Sequence, residues 1–273
     1  MPPRVRPVTG TPTLLVEPDP PGPRTLLLAD LHLGLGASRE RPGGPPEADG
    51  RGLAEALRAT AASEGARRVV VAGDVKHPIV GTPGPLRAVV FDFFSDLLSA
   101  GLEAEVVLGN HDVGLTRYLP REVQVHPATG TVVGPVGVFH GHSWPSTAVL
   151  RAHTLVVGHL HPGFRLAPSP DDPVGKRRCW VRVEFPPPLP ARTRGRDPHL
   201  VRAREMIVLP AYNPLAGTEA LNRQRPARGR SFLYHRLLAR GTARAYLLDG
   251  TDLGPLTTSA PPARAGPADS KGR

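Results

Sequence analysis

Acidic, amide and imidazole side chains gather in five short groups along this chain. They are Asp30-Leu31-His32, Gly73-Asp74, Gly109-Asn110-His111-Asp112, His140-Gly141-His142 and Gly158-His159-Leu160-His161. Carboxylate oxygens, an amide oxygen and neutral imidazoles suit borderline or hard divalent cations. No thiolate accompanies them, which excludes a zinc–thiolate structural site. One carboxylate can bridge two cations about 3.5–4 Å apart, the arrangement that two-metal hydrolysis of phosphate esters uses.

The groups are spaced so that predicted strands would deliver them. Thr25–Ala29 is a short apolar run ending at Asp30, and Thr13–Val16 forms a second strand before it. Val69–Ala72 is a continuous apolar run, the pattern of a strand buried on both faces. It stops at Gly73-Asp74. Glu105–Leu108 stops at Gly109-Asn110, and Val136–Phe139 and Thr154–Val157 stop at His140 and at Gly158-His159. Apolar residues at helical spacing predict helices over Gly52–Glu64 and Pro85–Ala100. Strands alternating with helices define an α/β fold, and in such folds ligands bind beyond the carboxyl ends of strands. Glycine before Asp74, Asn110 and His159 permits the close backbone approach that a crowded site needs.

The ordered series Asp-x-His, Gly-Asp, Gly-Asn-His-Asp, His and Gly-His-x-His resembles the calcineurin-like metallophosphoesterase superfamily over about residues 25–165. The segment Leu209-Pro210-Ala211-Tyr212-Asn213-Pro214-Leu215-Ala216-Gly217 is similar to a late element of its small bacterial and archaeal members, some of them linked to DNA repair. The resemblance implies a four-layer α-β-β-α sandwich of two mixed sheets. It implies two divalent metal ions, Mn²⁺ first, with Zn²⁺, Fe and Mg²⁺ as alternatives. Asp30, His32 and His161 would hold one ion; Asn110, His140 and His159 the other; Asp74 would bridge them. His111 would stabilise charge or protonate the leaving oxygen, and Asp112 would hold the His111 ring. A metal-bound water or hydroxide would attack phosphorus, in a phosphodiesterase or nuclease.

Some residues carry two readings. His140 is preferred to His142 as the ligand, leaving His142 to touch substrate or to sit in a loop. Lys76 and His77 suit either a phosphate contact or a solvated turn before Pro78. Asn213 suits either a pocket wall or a turn. Asp92 and Asp96, four residues apart, fit the solvated face of a helix.

Composition bounds the rest. The 273 residues can bury a large core. Thirty-four Lys and Arg against 24 Asp and Glu give +10 with His neutral. That suits polyanions such as DNA or RNA, although an Arg-rich chain can also reflect a GC-rich genome. The stretch 168–204, with Pro186-Pro187-Pro188 and many arginines, is expected to be a basic loop or insertion with one strand over Cys179–Phe185. Residues 1–250 are expected to form one domain opening on a loose lead to about residue 10, and 251–273 a disordered Pro- and Ala-rich tail. A lone cysteine, Cys179, excludes an intrachain disulfide. No apolar run reaches the about 20 residues of a membrane helix, and no signal-peptide core follows Met1. The expectation is a cytoplasmic protein with a phosphoester substrate, no membrane partner and an oligomeric state the sequence leaves open. The competing reading is a non-catalytic, metal-containing nucleic-acid-binding or scaffold protein of the same fold.

Overall fold

A computed structural model of the chain describes residues 4–17, 22–36, 47–166, 175–185, 202–222 and 242–256. Two sheets stack face to face. In the first, β1 (Arg4–Pro7), β2 (Leu14–Glu17), β3 (Thr25–Leu28), β4 (Arg68–Ala72), β5 (Glu103–Val107) and β6 (Gln124–His126) lie in sequence order. The first three run antiparallel and β3 to β6 run parallel. Parallel neighbours need crossover connections. Helices α1 (Glu47–Glu64) and α2 (Gly84–Ser99) supply them between β3, β4 and β5.

The second sheet is built from β7 (Thr131–Val133), β8 (Val136–Phe139), β9 (Thr154–Val157), β10 (Pro162–Arg165), β11 (Lys176–Glu184), β12 (Glu205–Val208) and β13 (Glu219–Ala220), with β14 (Thr242–Leu247) and β15 (Asp252–Pro255) added beside β11. Strands β8, β9 and β12 run parallel, and their neighbours β7 and β11 antiparallel. Helix α3 (Thr147–Leu150) packs on the outer face through Val149.

Side-chain alternation explains why the central strands are apolar after their first residues. On β3 and β4, Leu26, Leu28, Val69 and Val71 face the helices, while Leu27, Val70 and Ala72 face the second sheet. On β9, Val156 points inward to that same layer and Leu155 and Val157 point outward. A period of two on a strand buried on both sides leaves few polar positions; the hydroxyls of Thr25 and Thr154, at strand starts, are hydrogen-bonded.

The two-sheet α/β sandwich matches the expected architecture, but its fourth layer is thin. Among the described residues, the four-residue α3 is the only α-helix on the second sheet's outer face. Other differences concern short elements. Arg4–Pro7 is a strand rather than a loose lead, and Pro7 is tolerated because β1 is an edge strand. Helix α1 begins at Glu47, ahead of the expected start at Gly52. Lys176, Arg177 and Arg178 belong to β11, so the basic stretch is regular structure there. Residues 168–174 and 186–201 of that stretch lie outside the described residues. The chain past Thr251 adds β15 and the buried Leu256, which removes those residues from the expected tail. The remainder of that tail, 257–273, lies outside the described residues. No helix among the described residues is long and apolar enough to cross a membrane.

Candidate metal centre

All five polar groups come together at one end of the sandwich, where β3, β4, β5, β8 and β9 finish. Close approach demands glycine there. A Cβ on Gly109 would lie 2.2 Å from Asp74 Oδ1, and one on Gly73 would lie 2.3 Å from the His140 ring. Backbone conformation marks the same place. Five non-glycine residues among those described have positive φ: Asp30 (61°), His32 (42°), Asp74 (54°), His159 (69°) and His161 (42°). Every one is an expected ligand. Such left-handed backbone costs about 1–3 kcal/mol per residue and persists only where surroundings enforce it. Here main-chain bonds do so. Asp30 N–H donates to the Gly73 carbonyl at 3.0 Å, His32 N–H to the Asp74 carbonyl at 2.9 Å, and His159 N–H to Asp30 Oδ2 at 3.0 Å.

The side chains form two triads whose ligating atoms lie within 4.8 Å of one another, Asp30/His32/His161 and Asp74/His140/His159. In the first, His161 Nε2 is 3.4 Å from Asp30 Oδ1 and 3.2 Å from His32 Nε2. In the second, His140 Nε2 is 3.3 Å from Asp74 Oδ2, and Asn110 Oδ1 stands 3.2 Å from the same nitrogen. Asp74 Oδ2 is also 3.8 Å from His32 Nε2. One carboxylate therefore faces members of both triads.

The donor set fits divalent cations. His140 Nδ1–H donates to the Ala72 carbonyl at 2.8 Å, which fixes the ring and makes Nε2, turned toward Asp74, the nitrogen that ligates once its proton leaves. Among the described residues, His32 Nδ1 is buried with no hydrogen-bond partner. Burial would raise the Asp30 and Asp74 carboxyls, but His161 and His140 beside Asp30, and chiefly His140 beside Asp74, hold both below the ordinary range. Burial pushes His32 and His159 down to about 4, so both are neutral near pH 7. Burial opposes protonation of His140 too, yet the Asp74 hydrogen bond and charge lift it to about 9. His161 is raised against burial by Asp30.

Several neighbours differ from expectation. Asp112 does not hold the His111 ring. Its carboxylate is buried and accepts from Val75 N–H at 2.9 Å, Lys76 N–H at 3.4 Å and Gly109 N–H at 2.8 Å, tying the Asp74 loop to the Asn110 loop. The ring is held instead by its Nδ1–H donating to the His77 carbonyl. His77 itself forms a third cluster with His32 and His111. Lys76 is fully buried and turns its ammonium onto the Pro78 and Ile79 carbonyls, away from the solvated-turn and phosphate roles alike. Asn213, also buried, donates to the Leu31 carbonyl at 2.9 Å and caps Leu215 N–H. It braces the Asp30–His32 strand exit from behind. His142 lies beside His140, ring centroids 5.3 Å apart, outside both triads. Arg178, a support without a sequence signal of its own, holds the Ala211 and Tyr212 carbonyls at 3.0 Å each, and Tyr212 N–H donates to the Ala29 carbonyl.

The two stacked mixed sheets have the metallophosphoesterase fold. Among solved structures, the nuclease MPE of Pseudomonas putida is similar at a TM-score of 0.53 and 18% identity, over 92% of this chain and 100% of that one. Yfce, a phosphoesterase from E. coli, aligns at a TM-score of 0.37 and 14% identity, over 86% of this chain and 99% of that one. No family model matches the sequence, and no curated protein matches it.

Proposed function

We propose that this protein is a metal-dependent phosphoesterase, acting as a phosphodiesterase or nuclease. The observation that carries the reading is the position of Asp74 Oδ2, within 3.3–3.8 Å of His140, His32 and His111 and facing both triads. Asp30, His32 and His161 would hold one divalent ion, and Asn110, His140 and His159 the other, with Asp74 shared; Mn²⁺ is the first candidate. When bound, the ions supply an acidified water at neutral pH and offset charge on phosphoryl oxygens.

The chain's own groups do the rest. His111 N–H donates to Asp74 Oδ1 at 2.9 Å, which fixes the carboxylate. The His111 side chain is 18% exposed, with Nε2 3.8 Å from Asp74 Oδ2. Because Nδ1–H is engaged by the His77 carbonyl, Nε2 is the nitrogen that can take a proton from solvent and give it to a departing oxygen. The +10 charge supports a polyanionic substrate such as DNA or RNA.

Asp74→Asn tests the reading. Losing an outer-shell partner of a metal site costs about 10–100-fold. Removing this ligand should therefore cost at least about 100-fold on a chromogenic phosphodiester with Mn²⁺. Activity near wild type would overturn the proposal. In parallel, cleavage of DNA or RNA should fall steeply with salt, while the small diester should not respond.

A further inference from the structure

Lysine is almost never fully buried without a reason, yet Lys76 is 0% exposed. Among the described residues it forms no ion pair. Its ammonium donates to two carbonyls of the turn that follows it, Pro78 and Ile79. That turn has little else to hold its tip. Ile79 is 50% and Val80 87% exposed, so burial does not anchor it. Its stem is fixed differently, by Asp112 accepting from Val75 and Lys76 N–H and by His77 N–H donating to the Leu33 carbonyl at 3.0 Å. Between stem and tip lies the His77 carbonyl, which accepts the His111 Nδ1–H.

We propose that Lys76 is a positioning residue for His111. By clamping the Pro78 and Ile79 carbonyls it sets the His77 carbonyl. That carbonyl fixes the His111 ring with Nδ1 protonated and Nε2 turned toward Asp74. The inference rests on the phosphoesterase reading only for the proton that Nε2 would deliver; the ring's orientation and tautomer do not depend on it.

Lys76→Met removes the clamp and keeps an unbranched side chain of similar volume. The first measurement uses ¹⁵N shifts of the His111 ring in chelator-treated protein, which distinguish the two neutral tautomers. Wild type should show Nδ1–H, and Lys76→Met a mixture. The second compares two esters of one phosphate, with a p-nitrophenyl and with a methyl leaving group, in Mn²⁺-loaded protein. A misplaced proton donor should lower kcat about 10–100-fold on the methyl ester, the low end of general-acid effects, and no more than about twofold on the activated one. His111→Ala should show the same selectivity, and Lys76→Met combined with it should lose nothing more. Equal losses on both esters with an unchanged tautomer would overturn the proposal, as would additive losses in the double variant. Should Lys76→Met fail to fold, Lys76→Gln, with an N–H donor one bond shorter, carries the same comparison. If loaded wild type cleaves no phosphoester, the phosphoesterase reading fails while the tautomer measurement still decides the role of Lys76.

Discussion

Replacing Asp112 with Asn separates two roles that look identical in the sequence. The carboxylate accepts three main-chain N–H groups, Val75 and Lys76 at Oδ1 and Gly109 at Oδ2. An amide keeps one acceptor oxygen. In its better orientation it still serves Val75 and Lys76, and its NH₂ then faces the Gly109 N–H. One buried donor left unsatisfied costs about 1–3 kcal/mol. Part of that is offset, because burial already pushes the Asp112 carboxyl above its ordinary range and the neutral amide avoids that penalty. We therefore expect a net loss of about 1–2 kcal/mol, set by the low end of the unsatisfied-donor cost. At about 2–4 °C per kcal/mol for a chain approaching this size, the midpoint should drop by about 2–8 °C. The assay is thermal unfolding of metal-free protein at neutral pH. The gap from wild type should widen as pH falls, since burial raises the Asp112 carboxyl in the folded state, so wild type gains stability on taking up this proton and the Asn variant does not. His111→Ala, removing a partly exposed ring, should leave the midpoint nearly unchanged. An unshifted midpoint for Asp112→Asn, with the same loss of turnover as His111→Ala, would refute this reasoning and return Asp112 to the ring.

Gly109→Ala forces a Cβ to 2.2 Å from Asp74 Oδ1 and 2.3 Å from Asp74 N, so the carboxylate must move; overpacking of this kind costs about 1–3 kcal/mol, and elemental analysis should find less bound metal than in wild type. Gly114→Ala is the control, with no atom of the described residues within 4 Å of the added Cβ and only a left-handed backbone to strain, and its metal content should be unchanged. Metal affinity should rise with pH up to about 9, because His140 must give up the proton that Asp74 holds on it, whereas His32 and His159, at about 4, are already neutral. The sign for folding is opposite: a folded-state value of about 9 against the ordinary 6.5 contributes stability to metal-free protein that is fully present below 6.5 and lost as pH climbs through 9. Calorimetry of Mn²⁺ binding from pH 6 to 9 with an affinity independent of pH would contradict the His140 assignment.

What the sequence made legible follows from what a one-dimensional pattern can carry. A strand buried on both faces is nearly all apolar, so Val69–Ala72 and Leu155–Val157 announce both themselves and the polar residue where each ends. Once five such ends share one edge, the ligand types converge without further information. The short strands Gln124–His126, Pro162–Arg165 and Glu219–Ala220 hold two to four residues, too few for a period to register. Their existence depends on partners far away in the chain. The same limit governs the supporting residues. His111 and Asp112 are adjacent, and the family resemblance implies a partnership between them. Yet their side chains diverge, one toward the His77 carbonyl and the other into the main chain of two loops. Lys76 was read by its charge, which belongs in water. Its burial follows only from the turn it closes, and from two carbonyls that no pattern of residue types encodes. Ligands announce themselves by type because a cation demands particular atoms. Their supports satisfy backbone groups, which every residue carries, so side chains as different as Arg178, Asn213 and Lys76 all serve here by holding carbonyls.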